Sequence, residues 1–460
     1  MTSRSSADTI IALASGSGRA GIAVVRASGP GVLGVLAHFG SKRPPEPRRA
    51  TIAELRSPDG ELIDEAIVLF MPGPSSYTGE DVVEFHVHGG TAVVEAVLAC
   101  ALNSRLCRIA VPGEFTRRAF DAGRLDLTQA EAIADLIDAE TEGQRRQAAR
   151  LYQGDAAKIF ENWRGLLMQS MAALEASIDF PDEADIPGEI DLAALEPIER
   201  LAHDLESALG DASKFRSVRE GFRIAILGPP NAGKSSLINR LARREAAIVS
   251  PIAGTTRDVV EVRLVLAGYP VWVADTAGLR EASDAIEAEG IRRALARAQE
   301  ADLRIWVLDS TSGVSHADVS RETSPHTSPR PEDLVVLNKS DVRDGQPAAS
   351  LGPFGPFNPI MVSAKTGAGF DGLERRITQI VRERLDTDEA PLVTRARHRE
   401  LVEQALGAVE RALEGARIGI GAELVSEDLR LAARSLGRIT GSIDAEDLLD
   451  RIFSQFCVGK

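Results

Sequence analysis

The chain has 460 residues, 44% of them hydrophobic, with 53 Lys and Arg against 68 Asp and Glu and a formal charge of −15 at pH 7. Such a length predicts roughly two to four domains, and the acidic balance excludes a global basic field that would draw the protein onto phosphate backbones or anionic lipid. The three cysteines, Cys100, Cys107 and Cys457, exclude a disulfide framework and a Cys-x-x-Cys metal pair; with no signal-like order in Met1 to Ile10 and no apolar run of roughly 18 residues, the expectation is a soluble, cytoplasmic protein.

Residues 8–120 carry short apolar runs, "TIIALAS", "GIAVVRAS", "EAIVLFM" and "VVEFHVHGG", between Gly and Pro punctuation, which predicts an α+β domain. From Leu125 the pattern turns helical. Thr128 and Glu131 have the spacing of a capping box, and Ile133, Leu136 and Ile137 follow at helical intervals. Helices continue to about Val218, interrupted by the acidic "IDFPDEADIPGE". After Gly221, strands "FRIAIL", "VWVAD", "LRIWVLD" and "DLVVLN" alternate with helices, the pattern of a parallel sheet. A Ser/Pro/His-rich stretch, residues 310–331, has too few apolar residues to pack and reads as a surface insertion without an assigned role. Beyond Leu385 the chain is helical again. No internal repeat is visible, so the two helical stretches are expected to form one discontinuous domain with the α/β unit inserted. The predicted organisation is multidomain α/β: an N-terminal α+β domain at 1–122, helical segments at 123–218 and 384–460, and an inserted P-loop domain at 219–383.

"GPPNAGKS", Gly228 to Ser235, fits G-x-x-x-x-G-K-[ST] between the strand "FRIAIL" and the helix "SSLINRLAR". In that context the glycines let backbone amides wrap phosphates, Lys234 neutralises β/γ charge and the Ser235 hydroxyl is offered to Mg²⁺; outside it the motif would be a Gly-rich turn. "DTAG", Asp275 to Gly278, follows the apolar "VWVA", so Asp275 can hold Mg²⁺ through water and the Gly278 amide can face a γ-phosphate. "NKSD" ends the strand "DLVVL", and the Asp341 carboxylate can accept from guanine N1 and the exocyclic amine, a pair that adenine lacks. The later "SAK" would bring the Ala364 amide to the guanine carbonyl. Asn and Asp at strand ends are also common turn formers, but order and spacing behind a P-loop select a Ras-like G domain that binds GTP.

"GTTRD" supplies Thr256, a second hydroxyl for Mg²⁺ that a γ-phosphate would hold, so this loop reads as a switch. Where Ras-like enzymes place a water-orienting Gln after "DTAG", this chain has Leu279, so another group must position water and neutralise the transition state. Asn231 could seat a monovalent cation. Glu287 could reach the water, or be a solvated residue on a helix face.

The runs "GPPNAGKSSLINRLARREAAIVSPIAGTTRDV", "DTAGLREASDAIEAEGI", "PGEFTRRAFDAGRLDLTQAEAIADLIDA", "IDFPDE" and the terminal "FCVGK" resemble the MnmE (TrmE) family of tRNA modification GTPases, within the TrmE-Era-EngA-YihA-Septin-like class. The resemblance runs from end to end. It implies an N-terminal tetrahydrofolate-binding and dimerisation domain, a helical domain in two segments and an inserted G domain. It implies a GTPase activated by K⁺ held at Asn231, Ser250, Ile252 and Thr255, with Mg²⁺ at Ser235 and Thr256 and Glu287 orienting water, the cation standing where an arginine finger would act. GTP would be lined by Asn231, Ala232, Gly233, Lys234, Ser235 and Ser236; by Ser250, Pro251, Ile252, Ala253, Gly254, Thr255 and Thr256 of the switch; by Asp275, Thr276, Ala277 and Gly278; and by Asn338, Lys339, Asp341, Ser363, Ala364 and Lys365. A tetrahydrofolate derivative, 5-formyl or methylene, would be held by Arg26, Glu84, Arg124 and Lys460. With MnmG, an FAD and NADH protein, the homodimer would install an aminomethyl or carboxymethylaminomethyl group on carbon 5 of the wobble uridine of certain tRNAs. Departures are Arg124 where some relatives have Lys, Ser250 for Thr, Pro229 for a P-loop Arg and Val458 for Ile.

Other classes compete. A ribosome-assembly switch would carry an appended basic RNA-binding domain, which the acidic helical segments do not provide. A stand-alone folate enzyme of the aminomethyltransferase type would leave the G domain without purpose. A prenylated GTPase is suggested by Cys457 four residues from the end, but Gly459 stands where an aliphatic residue is preferred and Lys460 is an unusual last residue. Leu449, Ile452, Phe453 and Phe456 share a helical face, so a packed helix is expected to deliver Cys457 to a fixed place. As a residue type alone Cys457 could be an inert, partly buried thiol; the resemblance implies a part in tRNA modification, as nucleophile or acid, and none in GTP hydrolysis.

Overall fold

A computed structural model describes residues 8–41, 43–179, 195–244, 261–275, 298–311, 330–342, 357–387, 389–443 and 446–459. It groups the chain into two compact units, Met1–Ala134 with Leu151–Ala202 and Leu401–Lys460, and Asp135–Arg150 with His203–Glu400.

In the first unit the strands are β1 (Thr9–Leu13), β2 (Ala20–Ser28), β3 (Thr51–Arg56), β4 (Leu62–Met71), β5 (Val82–Gly89) and β6 (Cys107–Ile109), in the order β3-β4-β5-β2-β1-β6. Only the β1–β6 pair is parallel. Strand β4 buries Asp64, Ala66, Val68 and Phe70 on alternate positions, as the two-residue period of a strand requires. That face packs on helices α1 (Val32–His38) and α2 (Thr91–Asn103) around Val25, Phe39 and Phe85, while Ile22, Ile52 and Ile67 on the other face are exposed. The apolar runs had revealed β1, β2, β4 and β5. Strand β3 lies at one edge with Glu54 and Arg56 turned to solvent and β6 is three residues long, so neither carries a strong apolar signal.

Helices α3 (Glu114–Asp121), α4 (Leu127–Asp138), α5 (Glu142–Tyr152), α6 (Asp155–Asp179) and α7 (Glu196–Glu220) follow in the chain, of which α5 and α7 fall mostly in the second unit. The expected capping box at Thr128 and Glu131 is corrected: α4 starts at Leu127, two residues upstream of where the helix would begin under that reading. Asp126 Oδ1 accepts from the Gln129 amide at 3.0 Å, and Gln129 Oε1 accepts from the Asp126 amide at 3.0 Å. Asp126 and Gln129 thus form the reciprocal box, and Thr128 donates its hydroxyl to Asp126 at 2.5 Å from inside the first turn. The C-terminal helices of the unit are α11 (Ala422–Thr440) and α12 (Glu446–Phe453). α11 runs antiparallel to α6, with Arg430 bonded to Glu175 and Thr440 beside Glu161. Leu449, Phe453 and Phe456 pack with Leu127 and Ala130 of α4, which bears out the predicted apolar face.

In the second unit the strands are β7 (Phe222–Leu227), β8 (Glu261–Leu266), β9 (Tyr269–Asp275), β10 (Leu303–Asp309), β11 (Leu334–Asn338) and β12 (Ile360–Met361), ordered β12-β11-β10-β7-β9-β8, with α8 (Lys234–Arg244) and α9 (Phe370–Leu385); α10 (Ala396–Arg417) follows and lies mostly in the first unit. All pairs are parallel except β8–β9. The sheet is buried on both faces, which explains the near-continuous apolar runs of β7, β10 and β11. Arg304 is accommodated inside it by a bidentate pair with Asp333 at 2.8 and 2.6 Å, and Trp306 Nε1 donates to the same carboxylate. Register aligns Leu227 with Trp306, Ile226 with Asp275 and Asp309 with Asn338. The carboxyl ends of β7, β9, β10 and β11 therefore open onto one edge, where ligands bind in sheets of this kind.

Candidate functional site: a nucleotide edge and a C-terminal turn

At that edge the P-loop joins β7 to α8. Asn231 adopts φ 61°, an uncommon left-handed conformation that Asn tolerates. Gly233 has φ 91°, and a Cβ there would collide with the Asn338 side-chain amide, so only glycine lets the two loops approach. Lys234, nearly buried, donates from Nζ to the Gly228 and Pro229 carbonyls at 2.8 and 3.0 Å, spanning the loop. Lys234, Ser235 and Ser236 occupy the first turn of α8, whose N-terminal amides and dipole favour an anion.

Asn338, at the end of β11, is buried and ties the site together. Its Nδ2 donates to the Ala232 carbonyl at 2.8 Å and its Oδ1 accepts from the Ala364 amide at 2.9 Å. The P-loop, "NKSD" and "SAK" thus form one hydrogen-bonded cluster. Lys339 has φ 62° and donates to Asp309 Oδ2 at 2.6 Å. Burial pushes the Asp309 carboxyl up, but the Lys339 ammonium and the Thr311 donors outweigh it and hold it below the usual range. Asp341 is exposed; its Oδ1 accepts from the Ser363 hydroxyl at 2.6 Å, which with Lys365 keeps it ionised and poised as an acceptor. Arg240 of α8 donates to the Ala364, Lys365 and Thr366 carbonyls at 3.0, 3.1 and 2.9 Å and lies over the Phe370 ring at 5.4 Å. Asp309 and Arg240 were not singled out from the sequence. An Asp ending a strand beside "NKSD" was a usable signal for the first; nothing local marks Arg240, whose partners are 124 to 126 residues away.

Strand β9 ends at Asp275, but its side chain and Ser250, Pro251, Ile252, Ala253, Gly254, Thr255, Thr256, Thr276, Ala277, Gly278, Leu279 and Glu287 lie outside the described residues. So does most of the Ser/Pro/His insertion.

In the first unit, Arg26 on β2 faces Glu84 on β5, paired through Nε at 2.8 Å, and Glu84 Oε2 lies 3.3 Å from His86 Nε2. Arg124, exposed, has its stem alongside Gly79. The C-terminal turn is seated on the same unit: the Gly113 amide donates to the Cys457 carbonyl at 3.4 Å, and Gly459, at φ 97°, is so close to Leu13 that a Cβ would strike its carbonyl oxygen. Leu13 belongs to β1, which pairs with β2 at Leu13–Val25 and Ala12–Arg26. Cys457 is exposed rather than partly buried. Lys460 lies outside the described residues. Among the described residues no group of three or more His, Cys, Asp or Glu could hold a metal ion, and no helix is long and apolar enough to cross a membrane.

The family profile described as "MnmE helical domain" matches residues 127–457, and that described as "GTP-binding protein TrmE N-terminus" matches residues 9–124. The chain is 50% identical to the tRNA modification GTPase MnmE of Maricaulis maris over 457 residues, covering 98% of this chain and 99% of that protein. It is likewise 50% identical to that of Caulobacter vibrioides over 456 residues, 98% of this chain and all of that protein. Among solved structures, Aquifex aeolicus Era bound to GDP·AlF₄⁻ is 27% identical over 36% of this chain and 57% of that one, with a TM-score of 0.27 too low to carry weight. With profiles covering both ends and half of all residues shared along nearly the whole length of these relatives, the chain belongs to the MnmE family of tRNA modification GTPases, enzymes that hydrolyse GTP.

Proposed function

We propose that this GTP hydrolase acts with an MnmG-type FAD protein to place an aminomethyl or carboxymethylaminomethyl group on carbon 5 of the wobble uridine of certain tRNAs, with a tetrahydrofolate derivative as one-carbon donor. The observation that carries the reading is the seat of the C-terminal turn, which fixes an exposed Cys457 on the unit that bears the Arg26–Glu84 pair. A cysteine on a lipid-bearing tail would need a mobile end instead.

The described residues among those proposed offer the donors and acceptors that their ligands would need. Asp341, ionised and exposed beside Ser363, can accept from both guanine donors, and the α8 N-terminus with Lys234 suits phosphates. Mg²⁺ would be held by Ser235 and Thr256, with Asp275 behind it, and would supply charge neutralisation at the β- and γ-oxygens. K⁺ would be held by Asn231, Ser250, Ile252 and Thr255, and Glu287 would orient the attacking water. Arg26, Glu84, Arg124 and Lys460 would hold the folate: Arg26 brings guanidinium donors and Glu84 an acceptor to the same strand pair. The exposed apolar residues Ile22, Ile52 and Ile67 on one sheet face support homodimerisation through this unit. The proposed domains are 1–122 for folate and dimerisation, 123–218 and 384–460 for the helical domain, and 219–383 for the G domain.

Nucleoside analysis of tRNA from cells lacking the chain tests the reading: wobble uridines should lose the carbon-5 group, and unchanged wobble uridines would overturn it. Cys457→Ser should abolish modification and leave GTP turnover, with its preference for K⁺ over Na⁺, at the wild-type level. Loss of both activities would make Cys457 a structural residue.

A further inference from the structure

The Arg26 guanidinium is held by more than its carboxylate partner. Its central carbon lies over the Tyr77 ring at 5.3 Å and over the Phe115 ring at 5.8 Å, both within cation–π range. Tyr77 is itself fixed: its hydroxyl shares a 2.9 Å hydrogen bond with the buried Thr116 hydroxyl, and its ring packs on Ile10, Ala12, Ala110 and Phe115. Phe115 is fully buried and stands two residues beyond Gly113, whose amide meets the Cys457 carbonyl. Among the described residues Arg26 makes one side-chain hydrogen bond, through Nε to Glu84. Glu84 therefore fixes the guanidinium at one edge, the rings restrain its plane, and the two Nη groups are left as a fixed pair of donors. A planar fork of this kind suits a carbonyl or carboxylate oxygen and loses its value if the side chain swings.

We infer that Tyr77 is a positioning residue of the folate pocket, which restrains Arg26 against Phe115 so that its Nη donors meet the ligand in one orientation. The inference rests on the folate reading above. Because Phe115 lies in the first turn of α3, whose N-cap Gly113 meets the C-terminal turn, the same aromatic pair ties the orientation of Arg26 to the place of Cys457.

The test is equilibrium binding of 5-formyltetrahydrofolate to the full-length protein, with melting temperature recorded for each variant. Tyr77→Leu should raise Kd roughly tenfold, as expected for losing a partly desolvated cation–π contact. Tyr77→Phe keeps the ring but loses the hydrogen bond to Thr116, so it should raise Kd by no more than about two- to fivefold, an aromatic rescue that a general packing defect would not give. Thr116→Val, nearly isosteric, frees the phenol and should raise Kd by about two- to fivefold without the larger cavity of the Leu variant. If wild type binds and Tyr77→Leu and Thr116→Val bind equally well, Tyr77 has no positioning role and the folate reading stands. If Tyr77→Phe is as weak as Tyr77→Leu, the ring contact is not the cause and the inference falls. If wild type does not bind the folate at all, both the folate reading and the inference fall, and Arg26→Ala, expected to abolish binding, then has nothing to abolish.

Discussion

Asp341, the proposed base-reading group, shows how little of such a group lies in the residue itself. Its carboxylate is oriented by the Ser363 hydroxyl, Ser363 leads the loop whose Ala364 amide is taken by Asn338, and Asn338 reaches the P-loop at Ala232. Replacing the carboxylate by an amide exchanges one acceptor for a donor and matches the carbonyl of xanthine where guanine carries an amine. Asp341→Asn should therefore lose GTP affinity by at least about tenfold and gain xanthosine triphosphate turnover, read by competition binding and steady-state kinetics. Unchanged GTP affinity would show that "NKSD" does not read the base. Two non-glycine residues at positive φ, Asn231 and Lys339, stand in the P-loop and in "NKSD". Lys339 is held there by the Asp309 carboxylate, as expected where backbone strain is kept for binding.

Among the elements, strands buried on both faces were the most legible. "FRIAIL" and "LRIWVLD" coincide with β7 and β10 because an uninterrupted apolar run of that length fits a central parallel strand. Strand β8, antiparallel at the sheet edge with Glu261 and Arg263, gave no such signal. The start of α4 was misread for a local reason. Two overlapping patterns, Asp126 with Gln129 and Thr128 with Glu131, both satisfy the capping rule, and the choice is made by the buried packing of Leu127, Thr128 and Ala130 inside the helix. Asp126→Ala should cost about 1 kcal/mol in denaturant unfolding of the chain, more than Thr128→Ser, which keeps a hydroxyl to donate. The reverse order would restore Thr128 as the cap.

At the scale of the molecule, the N-terminal unit is clasped by charge. Arg108 binds Asp8 and Glu114, while Arg118 binds Asp8, Glu80 and Glu114. Burial pushes the Asp8 and Glu114 carboxyls up, but the arginines, with the Val111 amide at Glu114, more than reverse this and hold both below their usual values of 3.8 and 4.5. A carboxyl depressed in the native state contributes stability that is present above its unfolded pKa and is lost as pH falls through the native one. Glu114→Gln should destabilise the chain near neutral pH, and the gap from wild type should narrow steadily below about pH 4.5. Denaturant unfolding at a series of pH values reads this directly, and a gap independent of pH would remove Glu114 from the acid response.

By itself the sequence determined the class of the molecule: strand and helix periods, the P-loop, "NKSD" and "SAK" are local patterns of a few residues, and local patterns survive without a fold. It also marked "FCVGK" through the apolar face of the preceding helix. The tertiary structure alone decided which distant residues meet. Arg240 reaches the "SAK" carbonyls, Asn338 bridges the P-loop and Ala364, Tyr77 and Phe115 close on Arg26, and Gly459 settles against Leu13. These contacts join residues 26 to 446 positions apart, and no periodicity encodes a pairing across such separations; it follows from strand order, register and the close packing of a buried core.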